Sequence, residues 1–137
     1  MREDLELRLF HAVVGMILLI PMVVGPTGAF GGLEALAPLF GEHDRIVVGP
    51  SLRSSLRAIC WMFFALVPLV IWSLRSLRER AGAFRIILAC AFVAGLARVA
   101  GSVMDGRPGP IPLALMATEL LVVPLVFAWH SRLIARP

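Results

Sequence analysis

The chain has 137 residues, 59% of them hydrophobic and 16% charged, against about 25% charged in an ordinary soluble domain. The mean hydropathy is +0.89 and the formal net charge is +4. Apolar residues at this density, arranged in long runs, exclude a secreted disulfide scaffold, a disordered chain and a nucleic-acid-binding domain. All 13 basic residues are arginine, so in a chain of this hydropathy their positions carry more information than their sum.

A helix needs about 20 apolar residues to cross a bilayer, and four segments qualify. The first runs from about Leu9 to Val24 and follows the charged stretch MREDLELR. Glu3, Asp4 and Glu6 interrupt what would be the basic region of a signal peptide, and no A-x-A-like site follows. The segment is therefore expected to be a retained span. A long outer loop from about Gly25 to Pro50 comes next, with Leu33, Leu36, Leu39 and Phe40 placed to form a short interfacial helix. The second span runs from about Leu56 to Leu74, the third from about Phe84 to Met104 and the fourth from about Ile111 to Ser131. The connection SLRSLRERAGAF is short, which makes the second and third spans antiparallel neighbours. The connection DGRPGPIP is tight and rich in turn formers. One four-span domain covers residues 1–137.

Orientation follows from arginine. Arg2, Arg8, Arg75, Arg78, Arg80, Arg85, Arg132 and Arg136 lie on one side, against Arg45, Arg53 and Arg107 on the other. The positive-inside rule places both termini in the cytoplasm. The expected fold is an all-α, four-helix transmembrane bundle in a bacterial inner membrane, with both ends cytoplasmic. Pro21, Pro68 and Pro124 fall inside spans, where neighbouring helices can satisfy the freed carbonyls. The third span is rich in small residues. Its Ala91/Gly95 and Ala97/Gly101 pairs permit close helix approach, so it reads as the packed centre of the bundle.

Three charges interrupt the apolar spans: Arg57, Arg98 and Glu119. Ionisable groups in a membrane interior pair with one another or mark function. At a rise of ~1.5 Å per residue, Arg57 lies ~9 Å below Ser51, Arg98 ~10 Å below Asp105 and Glu119 ~12 Å below Ile111. Three helices thus bring charge to one depth in the outer half of the bilayer. Glu119 is expected to pair with Arg98 or Arg57, and Asp105 to sit at the mouth beside Arg53. Three arginines against two carboxylates leave a guanidinium for an anionic or carbonyl ligand, which its planar fork suits. The alternative role for the cluster is a structural lock that fixes helix register.

Other chemistry is sparse. Cys60 and Cys90 lie at depths too different for a disulfide, and no C-x-x-C occurs. His11 and His130 sit near the same boundary on the first and last spans, which leaves haem ligation open as a lesser alternative; no cofactor is expected. Glu42, His43 and Asp44 form a charged loop cluster that reads as solvated. The hydrolase elbow, the zinc-protease helix and the phosphate-binding loop are all missing from the sequence. The expected partners are membrane lipids and either a larger membrane complex or further copies of the chain, with no nucleic acid. The expected function is that of a non-catalytic accessory subunit or a small lipid- or anion-binding protein. A membrane enzyme or proton-coupled transporter using Glu119 is the alternative.

The run SLRSSLRA, then FRIILACAFVAGLARVAGSVMDGRPGP, then a fourth span with a glutamate, resembles a bacterial family of small four-span membrane proteins, domain-of-unknown-function family 4345. The resemblance rests on Gly95, Arg98, Asp105, Gly106, Pro108 and Glu119, with Arg57 upstream. It covers about Pro50 to Arg132 and more loosely the first span, and the Gly25–Pro50 stretch matches least. A more distant likeness is to DoxX-like four-helix membrane proteins. The resemblance implies a four-span fold and brings no reaction with it.

Overall fold

A computed structural model of the chain describes residues 2–41 and 49–135, with side chains from residue 4 onward. Helix α1 spans Arg2–Leu36, and a 3-10 turn at Ala37–Phe40 follows it. Helix α2 spans Pro50–Leu74, α3 spans Ala81–Asp105 and α4 spans Pro110–Ala135. Among the described residues these four helices are long and apolar enough to cross a membrane. The chain is a multi-pass, four-helix membrane protein.

Two contacts set the arrangement at its ends. The Trp129 indole of α4 donates to Glu6 Oε1 of α1 at 3.2 Å, so the chain's two terminal helices meet side by side. In the α2–α3 connection, Arg80 folds back over the end of α2. Its guanidinium donates to the Trp72 carbonyl at 2.6 Å and lies 4.4 Å from the Trp72 ring centre. A cation held over an indole face in this way fixes a short turn.

The core runs down the middle of the bundle. Phe10, Val14 and Leu18 of α1 meet Val67 and Val70 of α2, Phe84, Ile87 and Leu88 of α3, and Val123 and Val126 of α4. A smaller cluster at the opposite end joins Ala29, Leu36 and Cys60. Many remaining apolar side chains face outward, among them Met62 and Val103. That distribution suits helices solvated by lipid, whose tails are as apolar as leucine.

The first helix departs from the sequence reading. Its end was expected at Val24, with a loop from Gly25 to Pro50. Instead the helix runs through Pro26, Thr27, Gly28 and Gly31 as far as Leu36, and the Ala37–Phe40 turn continues it. Packing against α2 overrides the local turn chemistry. A Cβ at Gly25 would stand 2.8 Å from Phe64 Cβ, and one at Gly28 would overlap Cys60 and Leu36. These glycines let two backbones come together, as small residues do between membrane helices. The Thr27 hydroxyl donates to the Val23 carbonyl at 2.7 Å, which occupies its polar group within the helix. The change of direction comes later, at Gly32, with φ 68° and ψ −158°. That backbone conformation belongs almost wholly to glycine. Beyond it Leu36 is buried at 3% exposure, and the Phe40 carbonyl lies 3.1 Å from the Cβ position of Gly109. The segment from Gly32 to Phe40 therefore closes over one end of the bundle.

The α1–α2 seam gives a direct test. Gly28→Leu should lower stability by about 1–3 kcal/mol, the usual range for overpacking. Gly15→Leu, whose Cβ position has nothing within 4 Å, should be close to silent. Denaturant unfolding of both variants in detergent micelles measures the difference.

Candidate functional site: an intramembrane ion pair beside an apolar chamber

The site starts from a defect in a helix. Pro124 has no N–H to give to the carbonyl four residues earlier, and its ring crowds that carbonyl. In α4 the ladder just ahead of it changes pitch, and Thr118–Val122 form a π-helical turn in which the Val123 N–H bonds to the Thr118 carbonyl. One residue more in that turn rotates the following face by about 100°. Such single π turns are frequent at functional sites. Here Glu119 stands in the first part of the turn, just after Thr118.

Opposite it stands Gly95 of α3, buried in the bundle. A Cβ at Gly95 would lie 2.8 Å from Glu119 Cβ and 2.9 Å from Leu120 Cδ2. The missing side chain draws α3 and α4 together at the level of the carboxylate. Arg98, one turn further along α3, then donates from Nε to Glu119 Oε2 at 2.9 Å. The Glu119 side chain is 13% exposed and that of Arg98 36%. Of the two partners the sequence offered to Glu119, the structure brings it Arg98. Ser102 turns its hydroxyl onto the Arg98 carbonyl at 2.8 Å and does not enter the pair.

Glu119 also borders a cavity of about 90 Å³ at the centre of the bundle. Ile20 and Pro21 of α1, Phe63, Leu66 and Val70 of α2, Phe84 and Ala91 of α3, and Leu115, Thr118 and Val126 of α4 help to line it. Among the described residues Glu119 is the one ionisable residue on that wall. The Thr118 hydroxyl is occupied, donating to the Ala114 carbonyl at 2.9 Å. The chamber is thus apolar except for one carboxylate with a guanidinium behind it.

The remaining predicted site residues form a second group. Arg53 was expected beside Asp105; instead its Nη2 lies 2.8 Å from Glu34 Oε1. Asp105 is exposed on the last turn of α3, and no ion pair joins it among the described residues. Glu34 is the acidic partner that sequence reasoning missed, because it lay in a stretch read as loop. Its signal was the spacing of apolar residues around it, which already suggested a short helix there. Arg57 sits on the same face of α2 as Arg53, one turn on, and is exposed. Its Nε and Nη2 are each 3.7 Å from the Cβ position of Gly32, while Glu34 Oε2 is 3.1 Å from it. Two arginines and Glu34 therefore gather around the bend in the chain, and Arg57 makes no ion pair among the described residues. The five candidate residues divide between an enclosed pair, Arg98 and Glu119, and an exposed rim.

The histidines lie at the far end. His130 is fully buried, with its ring centre 4.9 Å from that of Phe84 and 6.1 Å from that of Phe10. Neither of its ring nitrogens makes a well-formed hydrogen bond, although the Leu77 backbone is beside it. His11 also packs against Phe10, and its Nδ1 lies 2.8 Å from the Leu7 carbonyl. Among the described residues no three His, Cys, Asp or Glu side chains converge on a metal position. Cys60 and Cys90 are both free thiols, the first buried and the second exposed. Glu42, His43 and Asp44 lie outside the described residues.

The profile of the family described as "Domain of unknown function (DUF4345)" matches residues 9–130, and the chain belongs to that family. No curated protein and no solved structure matches it.

If the 2.9 Å contact holds α3 to α4, removing either partner strands the other in an apolar setting. A fully buried pair broken in this way costs about 3–5 kcal/mol. With Arg98 one-third exposed, Arg98→Leu and Glu119→Gln should each cost roughly 1–3 kcal/mol. The double variant should recover part of that loss. A double-mutant cycle on unfolding in micelles reads the coupling, and additive single effects would remove the pair from the account.

Proposed function

We propose that this member of the DUF4345 family is a non-catalytic protein of the bacterial inner membrane that holds a small lipid or anion at its arginine–glutamate cluster. Both termini lie in the cytoplasm, as the arginine distribution requires, and the cluster lies in the outer half of the bilayer. The observation that carries the reading is Glu119, which is paired with Arg98 and itself lines an apolar chamber. Intramembrane charge is retained where it serves a ligand or a path. Arg57, exposed near the bend and without an ion pair among the described residues, supplies a donor fork for a lipid phosphate or a small anion. The sequence offers no nucleophile–base spacing, which favours binding over catalysis. Four spans enclose little space for a through-path, which favours work within a larger membrane complex or as a homo-oligomer.

One observation favours a second reading. Among the described residues Glu119 is the single ionisable group facing the chamber, and a carboxylate in such a place can carry a proton. A proton-coupled transporter would show a pH-dependent flux in liposomes that Glu119→Gln abolishes.

Native mass spectrometry of the chain released gently from membranes tests the binding reading. A lone chain or small oligomer should carry a retained lipid or anion mass, and Arg57→Ala or Arg98→Leu should lose it. A chain that arrives with no added mass and no protein partner overturns the proposal.

A further inference from the structure

We propose that the central chamber takes the tail of a single-chain, uncharged lipid whose hydroxyl or amide head bridges Arg98 and Glu119. This rests on the binding reading above and names the ligand class.

Size decides the shape of the tail. At about 90 Å³ the chamber is below the ~150 Å³ of an engineered protein cavity that admits benzene. That is less than a whole ten-carbon chain fills, but the chamber is open on one side, so one narrow chain can enter it in part and leave its remainder against lipid, where two tails have no room. Its lining runs from Leu115 to Val126 along α4, ~16 Å at the rise of a helix. The carboxylate is one turn in from the Leu115 end of that run and Phe84 and Val126 are towards the other. A ligand with its head at Glu119 therefore points its chain along the bundle axis, through wall made of aliphatic and phenyl groups.

Charge decides the head. Arg98 and Glu119 neutralise each other at 2.9 Å. A carboxylate head would put a second negative charge beside Glu119, and an ammonium head a second positive charge beside Arg98. Like charges brought together away from water disfavour the ionised state of one of them. An uncharged head avoids both penalties. Its hydrogen-bonding needs follow from what the pair leaves over. Arg98 spends its Nε donor on Glu119 and keeps the Nη donors of its fork. Glu119 accepts through Oε2, which leaves Oε1. The neighbouring hydroxyls are already committed, Thr118 to Ala114 and Ser102 to Arg98, each through a backbone carbonyl. A group that both donates and accepts satisfies the two sides at once; a hydroxyl or a primary amide does so, and an ether or hydrocarbon end does not.

The test uses the full-length protein in nanodiscs and three probes of equal chain length: monodecanoylglycerol, decanoate at pH 8, and decyltrimethylammonium. Binding is followed by native mass spectrometry below the probes' micelle concentrations. Wild-type protein should bind monodecanoylglycerol with a Kd about tenfold below that of either charged probe, the effect of one unfavourable contact of ~1.4 kcal/mol. Ala91→Leu, which adds bulk to the chamber wall one turn from Gly95, should weaken that binding by about the same factor, measured at a temperature where the variant remains folded. Glu119→Gln leaves Arg98 with an uncompensated charge, so its preference should invert in favour of decanoate. Equal affinity for the three probes, or binding indifferent to Ala91→Leu, overturns the inference. Preference for decanoate in the wild type, lost in Arg98→Leu, overturns the uncharged head yet leaves the anion-binding reading standing. Failure of all three probes, with no co-isolated small molecule, overturns both. Should Glu119→Gln fail to fold, the wild-type comparison and Ala91→Leu still decide.

Discussion

The contact between Arg98 and Glu119 constrains the rest of the bundle because a charge in a bilayer has few places to go. Glu119 is at 13% exposure, too far from water to be solvated and too short to reach headgroups. It needs a partner within a few ångströms, and the partner must come from another helix. That requirement fixes the rotation of α4, the rotation of α3 and the distance between them. Gly95 meets the distance by removing the side chain that would strike Glu119 Cβ. The π turn at Thr118–Val122 and the proline that follows it shape the face of α4 at this level. A glycine, a proline and two charges on two helices serve one geometric condition.

The two ends of the molecule differ in how they handle polarity. At one end, Arg80 lies over Trp72 and the Trp129 indole is bonded to Glu6, so connections and termini are tied by polar contacts to aromatic groups. At the other, the chain turns at Gly32, folds across the bundle and carries Glu34 to Arg53. That second ion pair is about half exposed on both sides and contributes little, in the range of ~0–1 kcal/mol typical of solvated pairs. The enclosed pair and the rim pair look alike on paper and differ in consequence. One sets helix register, while the other tethers a segment whose packing already comes from Leu36 against Cys60 and Ala29.

Much of this was legible from residues alone. Apolar run length gave four helices, and the depth arithmetic put Arg57, Arg98 and Glu119 at one level, because rise per residue is nearly invariant in a helix; it left Arg57 or Arg98 as the partner of Glu119, and the structure brings Arg98. The small residues of the third span suggested the packed centre of the bundle, but of its glycines only Gly95 meets another helix closely: Ala97 is exposed, Gly101 faces only Asp105 of its own helix, and the tight seam is α1 against α2 at Gly25 and Gly28. What stayed hidden is tertiary in origin. The continuation of α1 past Val24 depends on Gly25 and Gly28 meeting Phe64 and Cys60, and nothing local distinguishes such glycines from turn formers. Glu34 was hidden for the same reason: its reach to Arg53 depends on the bend at Gly32. The π turn was indicated only by Pro124, and a proline in a membrane helix more often marks a simple kink.

The structure also alters the charge balance of the cluster. Read from sequence, three arginines faced Asp105 and Glu119 and left one positive charge over. Glu34 now joins on the rim, and among the described residues Asp105 stands apart from the ion pairs. Within the membrane interior the balance is one guanidinium to one carboxylate, so the chamber that Glu119 borders sees a neutral dipole and not a net charge. On the rim two guanidinium groups share the neighbourhood of Glu34, and the surplus resides there, exposed. An anion would meet the surplus at the exposed Arg57, whereas an uncharged amphiphile is not held there. The same arginine count that suggested one ligand site therefore resolves into two electrostatic environments, and it is burial, not sequence distance, that separates them.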